Sequence, residues 1–198
     1  MFDGIDFSKL NMNDIEIKKK LKYVGKNVII SKNIRIRHPE KVVIGDNCII
    51  DDFTYISGEL NLGNGVHIGA NCTFQAGKSK IQINHYSGIS SGCRFFAVSS
   101  DYLGSDIDLP TLPDDFIQLT SSTINENIYV GRASLIGANS IILPGVSIPD
   151  GCSFGAASKI SKRKYLEYYF YFDECKKAIL KRDKQKIINQ LKKLNSYD

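Results

Sequence analysis

No apolar run in this 198-residue sequence approaches the roughly 20 residues that span a bilayer. The opening "MFDGIDFSKLNMNDIEIKKK" lacks the basic head and apolar stretch of a secretory signal, so a cytoplasmic location is expected. Five cysteines, an odd number with no C-x-x-C pair, argue against both a disulfide framework and a zinc ribbon. No Walker-type phosphate loop occurs, because "VGKN" lacks its spacing. A basic stripe with interleaved aromatics is missing too, despite a net charge of +5. The excess sits at the ends: Lys18, Lys19, Lys20 and Lys22 near the start, and Lys176, Lys177, Lys181, Arg182, Lys184, Lys186, Lys192 and Lys193 near the end. These clusters read as solvated helix faces, and nucleic acid is not an expected partner.

What the sequence does have is a period of six. Aliphatic or Phe residues recur at Ile44, Ile50, Ile56, Leu62, Ile68 and Phe74, then at Ile83, Ile89 and Phe95, and again at Val130, Ile136, Ile142, Ile148, Phe154 and Ile160. A helix needs apolar residues at three and four, and a lone strand needs alternation at two. Six suits short strands joined by corners. The fourth residue after each of these positions is usually small, as at Cys48, Thr54, Cys72, Ser87, Cys93, Ser134, Ser140, Cys152 and Ser158. One large and one small inward residue per six fits a narrow prism, and four cysteines thereby gain a packing role. Three hexads per turn make an eighteen-residue coil, and coils stacked on one another form a parallel β-helix. The series starts earlier, with Ile30 and Ile36, before a two-residue shift in "RHPEKVVIG".

Three parts follow from this pattern: an N-terminal helical segment over 1–25, a β-helix over 26–163, and a C-terminal amphipathic helix over 164–198. The last rests on a stretch without Gly or Pro that carries Leu180, Ile187, Leu191 and Leu194 at helical spacing. It is expected to pack on the prism or a neighbouring subunit, with peripheral membrane contact through its basic face as the alternative. Within the β-helix, "FFAVSSDYLGSDIDLPTLPDDF" opens an excursion over 97–127 that keeps no period. Long unpatterned loops are commonly functional, so this one is expected to build a wall of an acceptor pocket.

The hexads, with "IGANSIILPGVSIPDGCSFGAASKISK", "PEKVVIGDNCIIDDFTYISG", "GNGVHIGANCTF", "YSGISSGC", "SSDYLG" and "PTLPDDF", resemble the hexapeptide-repeat acyltransferases over Val24 to about Ser161. Within that family the motifs are most similar to sugar O-acetyltransferases of surface-polysaccharide biosynthesis. The resemblance implies an all-β core folded as a left-handed parallel β-helix, a homotrimer with its active site between subunits, acetyl-CoA as acyl donor, and a sugar or nucleotide-sugar acceptor.

The resemblance singles out His67 and the coenzyme A positions, and the hexad register, which has the loop leave the prism near His85, adds Asp101. His67 and Asp101 are the candidates for proton handling or acceptor orientation, with His67 expected at a corner of the prism. His85, Arg94, Ser100 and Tyr102 are candidates for substrate binding. Coenzyme A is expected along the later coils, beside Ala138, Ser140, Ala156 and Ala157, with Lys159, Lys162 and Arg163 meeting its phosphates. No metal is expected, since only His67 and His85 among the histidines lie within the coils.

Two departures from the family pattern bear on the chemistry. The loop contains no histidine where many relatives place one, and the usual closing turn is replaced by "YFYFDECKK". A sugar amine with a pKa near neutrality offers a lone pair without a strong base, so N-acetylation of a nucleotide-linked amino sugar stands beside O-acetylation. A third reading is a non-catalytic β-helix scaffold, which would ignore acetyl-CoA and tolerate any loop sequence.

Overall fold

The computed structural model describes residues 15–104, 109, 111–113, 123–173 and 177–194. Readings that fall on 1–14, and those on the remainder of the loop, lie outside these residues. Within them, short parallel strands stack in three columns to form a left-handed β-helix of triangular section. The first face runs from Tyr23–Val24 and Val42–Ile44 through residues 60–62 and 81–83 to Ile128–Val130 and Ser147–Ile148. The second holds Ile29–Ile30, Ile49–Ile50, His67–Ile68, Gly88–Ile89, Leu135–Ile136, Ser153–Phe154 and Tyr169–Tyr171. The third holds Arg35–Ile36, residues 55–56 and 73–74, Arg94–Phe96, Ile141–Ile142 and Lys159–Ile160.

Every member of the period-six series from Ile44 to Ile160 points inward and is at most 3% exposed. Alternation along each two-residue strand turns the preceding side chain outward. Backbone groups are satisfied between coils, as where the Ile49 N–H donates to the Val66 carbonyl (3.0 Å) and the Leu135 N–H to that of Cys152 (2.9 Å). At the first-to-second corner, Asn47, Tyr86, Ala133 and Tyr168 adopt positive φ. Gly65 and Gly151 share that column, and a Cβ on either would sit 2.5 or 2.2 Å from the ring of the tyrosine one coil above.

Insertions gather on one edge. Ile49 pairs with His67 and Leu135 with Ser153 at the eighteen-residue repeat, whereas Ile29 reaches Ile49 after twenty, His67 reaches Gly88 after twenty-one, and Gly88 reaches Leu135 after forty-seven. All three excesses lie at the third-to-first corner: the 3-10 turn Pro39–Lys41, the turn at Gly77, and the long loop. The loop's root is a two-stranded ribbon, Val98–Ser99 antiparallel to Ile124–Asn125. Asn125 and Asn127 side chains accept the backbone N–H groups of Lys78 and Lys80, both at 3.0 Å, fastening the ribbon to the coil beneath.

Both ends differ from expectation. The first helix covers only Ile15–Lys18 within the described residues, and Tyr23–Val24, expected in that helix, is already a strand paired with residues 43–44. Residues 164–183 are not helical where described. Tyr169–Tyr171 adds a last rung to the second face and Leu180–Lys181 folds back antiparallel on it. The alternating aromatic run explains this, since β-prone aromatics fit the pleat and the open end of a prism needs a lid. Phe154, Tyr165 and Tyr171 form that lid, with ring centroids 5.2–5.4 Å apart. Arg182 then donates to the carbonyls of Ala133, Gly151 and Cys152 at 2.7–3.3 Å. The helix proper is Lys184–Leu194, capped by the Asp183 carboxylate accepting the Lys186 N–H (2.9 Å), and none of its side chains is buried.

Cys48, Cys72, Cys93 and Cys152 are buried and reduced. Burial pushes the Cys152 thiol up to about 11 and raises that of Cys48. Because all four sulfurs are shut away from solvent, a thiol reagent at pH 8 is expected to leave them unlabelled in native protein and to label them after unfolding, as read by peptide mass spectrometry. Native labelling at any of them would contradict the packing role.

Candidate active site

The outward positions of the second face form one vertical row, in which Ile49, His67, Gly88 and Leu135 follow each other coil by coil. His67 thus stands in the middle of a flat face, not at the corner expected from its place in the hexad, because the corner begins after the inward Ile68. Its Nε2 lies 2.9 Å from Oδ2 of Asp51, in the coil beneath. The two side chains are 56% and 36% exposed, so the pair contributes about 0–1 kcal/mol to stability. Its consequence is orientation. When Nε2 donates to this carboxylate, Nδ1 keeps its lone pair, as a proton acceptor requires.

A cavity of about 380 Å³ opens beside this pair. Asp51 and His67 form one wall, Ser90 and Ser91 form another at the second-to-third corner, and Gly69, Gly88 and Leu135 lie between them. A larger hollow of about 520 Å³ lies along Asp183 to Lys193. It is a surface groove on a helix with no buried side chain, and its lining includes none of the candidate site residues.

Asp101 lies elsewhere. It follows the loop root at the third-to-first corner, which in a triangular section is opposite the second face. Strand residues 94–99 carry the chain roughly 20 Å away from the Ser90–Ser91 corner. Its carboxylate accepts the Leu103 N–H (3.1 Å) and its carbonyl that of Gly104 (3.1 Å), a turn that starts the loop. Asp101 and His67 of one chain therefore do not meet. Ser100 is half-buried, Tyr102 is 88% exposed, and Arg94 is exposed on the third face with Nη1 donating to the Gly92 carbonyl. His85 sits at the first-to-second corner, where Nδ1 accepts the Asn64 N–H (3.0 Å) and so caps the coil beneath.

For the donor, Ala138 is half-buried and Ala156 and Ala157 are exposed, one coil apart on the second-to-third corner, with Lys159 exposed on the adjoining strand. Small side chains ending at a cation fit a pantetheine arm followed by phosphate. Ser140 does not belong with them: it is fully buried and its hydroxyl donates to the Gly137 carbonyl (2.6 Å). Small inward residues are what the prism interior needs, which is why it resembled a lining residue. Lys162 is held by Glu126 at 2.8 Å, and Arg163 donates to the Ser161 hydroxyl.

The pattern reading did not single out Asp51, Ser90 or Ser91. The signal was present in the coil length: eighteen residues per turn puts Asp51 directly under Gly69, two residues from His67.

Comparison with known proteins agrees with this architecture. The model for bacterial transferase hexapeptide (six repeats) matches residues 41–76. The dTDP-4-amino-4,6-dideoxy-D-glucose acyltransferase of Escherichia coli is 30% identical over 155 residues, covering 76% of this chain and 78% of its own. AntD, an N-acyltransferase from Bacillus cereus solved in complex with dTDP and 3-hydroxybutyryl-CoA, is 30% identical with a TM-score of 0.79, over 91% of this chain and 93% of its own. AntD has also been solved with a serine replaced and with an aspartate ten residues further on replaced. A maltose O-acetyltransferase from Clostridium difficile, 16% identical with a TM-score of 0.56 over 88% of this chain and 80% of its own, shares the fold alone. The chain belongs to the hexapeptide-repeat acyltransferases.

Proposed function

We propose that this protein transfers a short acyl group from an acyl-CoA thioester to the amino group of a dTDP-linked amino sugar. The observation that carries this reading is likeness at 30% identity, over most of both chains, to two acyltransferases of which one is named for a dTDP-amino sugar and the other was solved with dTDP and an acyl-CoA. It favours the amine over the hydroxyl acceptor expected from the sequence motifs. A loop without histidine accords with it, because an amine needs less help from a base than a hydroxyl does.

In this reading the amine, held beside His67 Nδ1, attacks the thioester carbonyl carbon. Its proton passes to the imidazole, the C–S bond breaks as the tetrahedral intermediate collapses, and the proton leaves with the coenzyme A sulfur. The Ser90 and Ser91 hydroxyls, in the same cavity, are available to the oxyanion or the sugar. Ser91 and Asp101 stand ten residues apart, the spacing of the two replaced positions of AntD. Since Asp101 and Ser91 of one chain lie at different corners, a second copy presenting its loop corner to this second face would complete the site. That assembly accords with the homotrimer implied by the motifs.

Incubation with acetyl-CoA and either dTDP-4-amino-4,6-dideoxyglucose or its 4-hydroxy counterpart tests the acceptor. Thiol release and a mass gain of one acyl group are expected with the amine, at least about 100-fold faster than with the hydroxyl. Comparable rates, or preference for the hydroxyl, would restore O-acetylation.

A further inference from the structure

Gly88 has no structural reason to be glycine. The other coil glycines each have either a positive φ or a neighbouring atom within 3.0 Å of where a Cβ would stand. For Gly69, one coil below at the corner, that neighbour is the Ser91 backbone nitrogen at 2.7 Å. Gly88 lies in a strand, has no positive φ, and a Cβ there would have a single neighbour within 4 Å: the Leu135 Cδ2, at 3.2 Å. Leu135 is 48% exposed and free to turn aside. A strand position normally favours a β-branched or aromatic residue. A side chain is absent where it costs the sheet packing and where the fold does not forbid it.

The gap has a definite place. Gly88 is the rung between His67 below and Leu135 above, and rungs are about 4.8 Å apart, so these two side chains flank a slot about 10 Å between backbones. The Leu135 Cδ2 stands over Gly88, 3.2 Å from the position of a Cβ, so the slot admits one aliphatic chain when that exposed side chain turns aside. Its floor is the Gly88 Cα and its upper wall the Leu135 isobutyl group, neither of which offers a hydrogen bond. A sugar hydroxyl turned to the Gly88 and Leu135 sides would find no partner, with His67 as the polar flank, whereas a hydrocarbon chain gains by burial against them.

We infer that Gly88 sets the acyl specificity: its slot receives the chain of the transferred acyl group beyond the carbonyl, and selects donors of about three or four carbons over acetyl. This rests on the acyl transfer proposed above, with the reacting carbonyl beside His67.

The test compares acetyl-, propionyl- and butyryl-CoA with wild type, Gly88→Ala and Gly88→Val, measuring kcat/KM and calorimetric Kd for each donor. Wild type is expected to favour butyryl- or propionyl-CoA. In Gly88→Val the butyryl-to-acetyl ratio falls at least about tenfold, the discrimination a methylene-sized obstruction commonly gives. Gly88→Ala, whose methyl meets only Leu135, gives the same trend at smaller size and serves if the valine variant fails to fold. A ratio unchanged in both variants overturns the inference, as does a rise in the sugar KM with every donor, which would place a deoxysugar methyl in the slot. Loss of the native oligomer by light scattering, with donor ratios unmoved, would assign the glycine to subunit packing and also overturn it. Chain-length-dependent Kd values that collapse in Gly88→Val, without transfer to any dTDP-amino sugar, would sustain the slot and refute the acceptor.

Discussion

Replacing His67 with alanine lowers kcat for acyl transfer by at least about tenfold, and by up to about 10²–10⁴-fold if the imidazole takes the amine proton in the transition state. Fold is expected to survive, because the side chain is 56% exposed and its pairing with Asp51 adds little stability. Asp51→Asn keeps a hydrogen-bonding group 2.9 Å from Nε2 but removes the charge that stabilises the imidazolium. It should cost less than removing the ring, on the order of tenfold, and should act on kcat more than on the sugar KM. Asp51 is thus a positioning residue, and its pH–rate profile should move relative to wild type. A folded His67→Ala protein with near-native turnover would remove the histidine from the mechanism. Catalysis would then rest on holding an already free amine against the thioester.

Phe95→Ala is expected to destabilise the protein by about 3–5 kcal/mol, the cost of a large core truncation. Phe95 is fully buried and stacks on Phe74 in the coil beneath, with ring centroids 4.8 Å apart. Its place makes the loss specific. The chain leaves the prism just above it, so coils on either side of the loop are joined by stacking of Arg94–Phe96 on residues 141–142 and of 81–83 on Ile128–Val130. In a stack held by nearest-neighbour contacts, weakening this junction should split denaturant unfolding into two steps. Substitution of Phe154, at the capped end, should instead fray the C-terminal coil. A single unshifted transition for Phe95→Ala would contradict the account of the core.

The period of six was legible because each inward position obeys a local rule: a large side chain every sixth residue and a small one four residues later. Even the two-residue shift near Pro39 was readable, and it appears as a 3-10 turn on the insertion edge. The C-terminal segment was misread for a physical reason. Absence of Gly and Pro permits a helix but does not require one, and "YYFYF" had a prism end to cover that composition alone does not reveal. His67 was legible as a candidate, and its partner was not. Nor was the distance of Asp101 from it.

Taken alone, the sequence determined the repeat, the eighteen-residue coil, the inward residues and the position of the interruption, because these depend on the order of side chains along one coil. Only the tertiary structure decided which outward residues share a face. That depends on how much each earlier corner inserts, and the two, three and twenty-nine extra residues all fall on one edge, leaving the second face in continuous register. Asp51, His67, Gly88 and Leu135 meet there because stacking, not sequence separation, sets their neighbours.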